Sequence, residues 1–339
     1  MNMEIEEHLI ETDRHKSFYL ACGPEDGDLI IMTHGWPELS LSWRHQLEYF
    51  GNKGFRAIAP DMRGYGRSSV YTDKSAYCQK EIVQDMVELI ESTQKEKAIW
   101  IGHDWGSPVA WNMALHHPEL TTAVASLCVP YGFGAHPKTL LDKVNRDIYP
   151  EEEYPAAQWD YMFFYYENFE KAQEEMDENP ESFVRLCFQK GDPAGAGLPS
   201  FNASIRKNNG WFELMGGLPD ASLVPIDTDL ISLEEASVYA KYLKQNTFFG
   251  PNAWYVNGES NEAFDLTKND KKLAMPSLFV HATYDYVCDT LSTTWPEFMR
   301  SNCTNLTERT VDSGHWMSQE KPEELNQVID SWIATFKKN

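Results

Sequence analysis

A chain of 339 residues with 42% apolar and 24% charged residues is long enough for one enzyme-sized core plus an insertion. Its 52 Asp and Glu against 29 Lys and Arg give a formal net charge of -23. That balance argues against nucleic acid and anionic membranes as partners, because either needs a basic patch to neutralise phosphates and no Lys/Arg cluster is present. The six cysteines, Cys22, Cys78, Cys128, Cys187, Cys288 and Cys303, show no Cys-x-x-Cys or other metal spacing, and residues 1–6 have neither a basic start nor an apolar signal core. A reduced, cytoplasmic protein with no metal, no membrane span and no internal repeat is expected.

The first apolar strand is expected over residues 28–33, running into His34-Gly35-Trp36-Pro37. The turn there has to present backbone N-H groups; His34 and Pro37 are read as its structural residues, and the Trp36-Pro37 bond is a candidate for the cis isomer. A β-like run at 55–59 and a helix at 80–92 follow. Residues 97–101 form a short apolar run with the character of a buried strand, and 108–115 have helical composition. Between them stands Gly102-His103-Asp104-Trp105-Gly106, the pattern of a nucleophile elbow with aspartate in the place usually held by serine. The glycines let the backbone fold back on itself, which forces Asp104 into a strained turn facing a cleft, and the helix start beneath it favours an anion. An aspartate that only caps the helix is the other reading of the same five residues. His103 is taken as a filler position.

After a β-like run at 122–129 the pattern changes to candidate helices at 156–169, 182–189 and 233–245. The glycine-rich stretch 191–199 lacks Gly-Lys-Ser/Thr and a preceding strand, so it is read as a loop and not as a phosphate cradle. Strands return at 277–281 and 305–311, the first followed by Asp285 and the second by Asp312-Ser313-Gly314-His315-Trp316; a helix at 323–336 closes the series.

This alternation predicts an α/β fold: a mostly parallel central sheet with helices on both faces, its core formed by residues 1–130 and 266–339, with 131–265 inserted as a helical cap. Asp104, Asp285 and His315 arrive in the order nucleophile, acid, histidine, each just after a strand, as in an α/β-hydrolase triad. The amides of Trp36 and Trp105 are expected to form an oxyanion hole. The pair His116-His117 occupies adjacent helix positions that point apart, which disfavours chelation of one ion.

The chain resembles the soluble epoxide hydrolases of the α/β-hydrolase superfamily in His34-Gly35-Trp36-Pro37, Asp61-Met62-Arg63-Gly64-Tyr65-Gly66-Arg67-Ser68, Gly102-His103-Asp104-Trp105-Gly106, Asn252-Ala253-Trp254-Tyr255-Val256-Asn257 and Gly314-His315-Trp316. The resemblance implies two lid tyrosines that hold the epoxide oxygen: Tyr255 in the fourth motif, and Tyr161 in Trp159-Asp160-Tyr161, where Tyr154, Tyr165 and Tyr166 stand nearby. The chain departs from relatives at Met162, often a polar position, and at Val256, commonly arginine, which bears on substrate preference. A carboxylate can open the strained ring by backside displacement without first losing a proton, whereas the tethered alkoxide leaves poorly and needs hydrogen bonds from opposite the nucleophile. The implied product is a glycol monoester of Asp104, hydrolysed by water that His315, oriented by Asp285, deprotonates.

Near neutral pH this chemistry is expected to use an ionised Asp104, a neutral His315 and protonated tyrosines. Trp105, Trp254, Phe164, Met162 and Trp316 are the expected pocket residues. A small lipophilic epoxide and water are the expected partners, in a detoxifying role with no cofactor, and the sequence is compatible with a monomer or a homodimer. Haloalkane dehalogenase, with its own aspartate nucleophile and following tryptophan, is the nearest rival, and a non-catalytic small-molecule sensor on the same scaffold is another. The Tyr161/Tyr255 pair favours the epoxide.

Overall fold

Eight strands form a single sheet: β1 (Glu6–Glu11), β2 (Lys16–Cys22), β3 (Leu29–Thr33), β4 (Arg56–Pro60), β5 (Ala98–His103), β6 (Thr121–Leu127), β7 (Ser277–Ala282) and β8 (Leu306–Val311), in the spatial order β1-β2-β4-β3-β5-β6-β7-β8. The computed structural model describes residues 3–132 and 136–337, so residues 1 and 2 of the stretch read for a signal lie outside it. The run from β4 through β8 is parallel, while β2 pairs antiparallel with both β1 and β4.

Strand β3 explains why the apolar runs are unbroken. Its alternate residues Leu29 and Ile31 join one core cluster and Ile30 and Met32 the other, so both faces are buried and no polar alternation survives. One face is covered by α1 (Arg44–Asn52), whose Leu47 and Phe50 pack with Leu325, Ile329 and Trp332 near the C-terminus. The other is covered by α2 (Gln79–Ser92) and α3 (Gly106–His116), through residues such as Ile82, Met86, Val109 and Met113.

Between β6 and β7 the described residues form α4 (Asp160–Glu167), α5 (Phe169–Asp177), α6 (Pro180–Cys187), α7 (Leu233–Asn246), α8 (Phe249–Ala253) and α9 (Gly258–Asp265), joined by 3-10 turns; the one strand-like feature is an isolated bridge from Leu273 to Cys303. The chain closes with α10 (Glu297–Asn302), α11 (Met317–Glu320) and α12 (Pro322–Ile333). No helix of the described residues is long and apolar enough to cross a membrane.

Two elements differ from expectation. The continuous helix read over 156–169 is a 3-10 turn at Ala157–Trp159, then α4, then a break at Asn168 (φ -140°, ψ 49°) before α5. The β1-β2 hairpin was not anticipated, because β1 reads Glu-Glu-His-Leu-Ile-Glu at the sheet edge and leaves most of its side chains in solvent. Charged edge strands of this kind resist pairing with other chains and carry little hydrophobic signal.

Phe50 is fully buried between α1 and the sheet. Phe50→Ala is expected to lower unfolding stability by about 3–5 kcal/mol, read by chemical denaturation; a loss below about 1 kcal/mol would show that this face can collapse around the gap.

Candidate active site

The carboxyl ends of the parallel strands deliver the candidate residues to one crevice, the usual place for ligands in such sheets. Trp36 follows β3, Asp104 follows β5, Asp285 follows β7 and His315 follows β8. Asp104 has φ +47°, a left-handed conformation that few non-glycine residues adopt. The turn closes around it because a Cβ at Gly106 would fall on the Thr33 carbonyl and one at Gly102 on that of Gly106. The Ser107 amide then donates to the Asp104 carbonyl at 2.9 Å and starts α3.

Two strands meet at the carboxylate. The Trp36 amide donates to Asp104 Oδ1 at 2.8 Å, and the Trp105 amide beside it helps lower the carboxyl's pKa. The turn that aims Trp36 has a cis Trp36-Pro37 bond, and His34 braces it: Nδ1 donates to the Gly35 carbonyl at 2.9 Å and Nε2 accepts from the Met62 amide at 2.9 Å. His315 Nε2 lies 3.8 Å from Asp104 Oδ2, and its Nδ1 lies 2.7 Å from Asp285 Oδ2. Asp285 Oδ1 is fixed by the amides of Val287 and Cys288. Its neighbour Asp289 instead binds Leu291 and Ser292 in an exposed turn, so the structure separates the two aspartates that the sequence left side by side.

A cavity of about 330 Å³ opens on Asp104, with Trp105, Tyr161, Met162, Tyr255 and Cys288 in its wall. Tyr161 and Tyr255 stand with ring centres 5.6 Å apart, and the Tyr255 ring is 5.0 Å from that of Trp105. Of the tyrosines near Tyr161, Tyr165 packs behind the pair against Tyr255 at 4.8 Å, and the Tyr166 hydroxyl accepts from the Gly258 amide; neither reaches the cavity wall.

Trp254, Phe164 and Trp316 are not in that wall. Trp254 turns its indole N-H to the Arg63 carbonyl at 3.0 Å, Trp316 donates to the Cys187 carbonyl at 2.9 Å while stacking on Phe188, and Phe164 is sealed in the core. All three pack elements together. The apolar wall is supplied in part by Trp111, Trp159, Trp295 and Phe298, which only the tertiary fold brings to one place.

Burial and neighbouring charges bear on every ionisable group of the site. Burial alone would push the His315 pKa down, but the Asp285 carboxylate, by charge and hydrogen bond, and Cys288 carry it well above 6.5. Burial raises the Asp104 carboxyl above its usual range, against the pull of His315, His103 and the Trp36 and Trp105 amides. Burial, and then nearby charges that include Asp104, hold both Tyr161 and Tyr255 well above 10, so both hydroxyls keep their protons.

Residues 28–322 match the family described as alpha/beta hydrolase fold. Bifunctional epoxide hydrolase 2 of Sus scrofa is 31% identical over 315 residues, which cover 92% of this chain and 52% of that protein. The chain thus spans about half the length of the bifunctional relatives it matches in pig, rat and mouse. Epoxide hydrolase B of Mycobacterium tuberculosis is 30% identical, with 93% of this chain and 94% of the relative covered. Among solved structures, epoxide hydrolase A from Mycobacterium thermoresistibile superposes with a TM-score of 0.78 at 27% identity, covering 99% of this chain and all of that one.

A pair that the sequence reading passed over lies beneath the site. Glu38, fully buried, accepts from the Gly35 amide at 2.9 Å and sits 2.6 Å from His103 Nδ1, while His103 Nε2 donates to the His315 carbonyl at 2.8 Å. His103 is thus the link between the Trp36 turn and the His315 loop, not a filler. Burial would raise the Glu38 carboxyl, but His103, His34 and Ser42 bring it down to about 2. A depressed acid contributes stability that is present above the unfolded-state value of 4.5 and is lost as pH falls through the folded value of about 2. Glu38→Gln is therefore expected to cost about 3 kcal/mol at neutral pH. The gap from the parent should close as pH drops from 4.5 to 2; a gap independent of pH in denaturation curves would rule the ionic contribution out.

Proposed function

Because this chain belongs to the alpha/beta hydrolase fold family, with full-length relatives that carry the name epoxide hydrolase, we propose that it converts an epoxide and water to a vicinal diol through an ester of Asp104. The observation that carries this reading is the single cavity on which the Asp104 carboxylate, Tyr161 and Tyr255 converge, with His315 behind the carboxylate. Residues 131–265 act as the cap that brings the two tyrosines over the core.

Asp104 Oδ1 is held by the Trp36 amide, which leaves Oδ2 as the attacking oxygen. It displaces the epoxide oxygen from carbon; the departing alkoxide takes a proton from the tyrosine pair and ends as a hydroxyl. Opening therefore consumes one proton, which a protonated His315, 3.8 Å from the Asp104 carboxylate, would supply. Esterification removes the Asp104 charge that favours the imidazolium, so His315 gives up its proton to restore the tyrosine and becomes the base that the second step requires.

In that step His315 takes a proton from water, hydroxide adds to the ester carbonyl, and the oxyanion forms against the amides of Trp36 and Trp105. Collapse breaks the ester: the diol keeps one water proton and His315 the other, which regenerates the carboxylate and imidazolium. Asp285 holds the ring throughout. The apolar aromatic wall suits lipophilic epoxides. The epoxide is favoured over a haloalkane because Tyr161 and Tyr255, which a dehalogenase does not require, share the cavity wall with Asp104.

A single turnover with excess enzyme in oxygen-18 water is expected to give unlabelled diol and one heavy oxygen in the Asp104 peptide; label in the diol with none in Asp104 would establish direct attack by water. The pH profile of kcat/KM should be a bell. Its acid limb lies above 3.8, where Asp104 ionises, and its alkaline limb above 6.5, where His315 loses its proton. A rate that rises through pH 6.5 with loss of a histidine proton would instead mean that the neutral imidazole is the resting form.

A further inference from the structure

We propose that Cys128, Cys288, Asp285 and His315 form an inhibitory site for a thiophilic divalent cation such as zinc or cadmium, reached through the substrate cavity. One potential ligand atom from each, two sulfurs, a carboxylate oxygen and an imidazole nitrogen, lies within 4.8 Å of every other. A tetrahedral zinc ion stands about 2.0–2.3 Å from such ligands, which sets them about 3.3–3.8 Å apart. Closing the four onto an ion therefore asks for shifts of about an ångström or less. The donor set of two thiolates, an imidazole and a carboxylate selects soft or borderline ions over magnesium and calcium.

The fold, and no sequence spacing, assembles this cluster. Cys128 comes directly after β6 with φ +62°, in the left-handed region that Asp104 also occupies after β5. Cys288 comes after β7, where its amide donates to Asp285 Oδ1 at 2.9 Å, and its thiol neighbours both the Cys128 thiol and the His315 ring. Cys128 is buried, while Cys288 forms part of the cavity wall, which supplies an entry path. Neither thiol has a part in the chemistry above.

Binding would expel the two thiol protons and the extra proton of any imidazolium form of His315 to solvent, and leave the oxidation state of the metal and of both sulfurs unchanged. Coordination by His315 would tie up the imidazole that the hydrolytic step needs as its base, and coordination by Asp285 would loosen its 2.7 Å hold on the ring. The consequence for turnover rests on the function proposed above; the binding site itself does not.

The test uses the reduced, full-length protein titrated with cadmium, following ultraviolet cadmium-thiolate charge-transfer absorption and bound metal per chain. The parent and Cys78→Ala proteins should bind one cadmium alike, while Cys128→Ala and Cys288→Ala, each checked for folding by circular dichroism, should bind about tenfold more weakly or worse. Zinc should halt epoxide turnover in the parent, with recovery on adding a chelator. No bound cadmium in the parent, or an unchanged titration in both site variants, would overturn the proposal. Inhibition relieved by a thiol reductant but not by a chelator would overturn it too, in favour of oxidation of the cysteine pair. Cadmium bound at the cluster of a protein that never opens an epoxide would leave the site standing and remove the functional reading instead.

Discussion

The rest of the site depends on one arrangement: a carboxylate placed at the end of β5, in a left-handed backbone conformation, with the amides of Trp36 and Trp105 directed at it. Each part requires the others. Gly102 and Gly106 allow the close approach of α3 to β3 and β5, that approach brings the Trp36 amide within 2.8 Å of Asp104, and the two donors offset part of the cost of burying the charge. A serine in the same turn would sit in the same donors but would need a base to become a nucleophile; in the role proposed above a carboxylate at Asp104 would not.

Asp285 and Asp104 flank His315, and both carboxylates favour its imidazolium. Under the mechanism proposed above, the epoxide oxygen needs a proton in the first step and the ester a neutral base in the second. One histidine can serve both needs if the charge of the nucleophile disappears between them. This internal accounting has little to do with the net charge of -23, which is spread over a surface that carries most of the Asp and Glu. The Glu38-His103 pair beneath the site is fully buried and connects the Trp36 turn to the His315 loop, so the two halves of the crevice are held by a short buried polar contact.

Residues from the insert pack on the same turn. The Trp36 ring meets Tyr165, Phe183, Trp211, Phe248 and Tyr255, all from the stretch between β6 and β7, at centroid distances of 5.6–6.5 Å. The orientation of the amide beside Asp104 is thereby tied to the packing of the helices that carry Tyr161 and Tyr255. Rearrangement of the insert would be felt at both sides of the cavity, since aromatic side chains in a close-packed interior shift together or not at all.

Strand and helix alternation, the elbow, and the chain order of Asp104, Asp285 and His315 were all legible in the sequence, because each depends on local composition: apolar runs without alternation mark doubly covered strands, and a glycine on each side of a polar residue marks a tight turn. The edge hairpin escaped because charged strands leave no hydrophobic trace, and the break at Asn168 because aromatic content does not report a change in backbone direction. Aromatic character also could not say which rings form the cavity wall; Met162 and Trp105 do, whereas Trp254, Phe164 and Trp316 are spent on packing. Local composition fixes the order of the elements and the residue types available to the chemistry. Which side chains meet is settled by the fold: the Glu38-His103 link, the Asp285-His315 pair and the cluster of Cys128 with Cys288. Those properties depend on distances of a few ångströms between residues far apart in the chain, and on burial that strengthens every unscreened charge, neither of which local composition encodes.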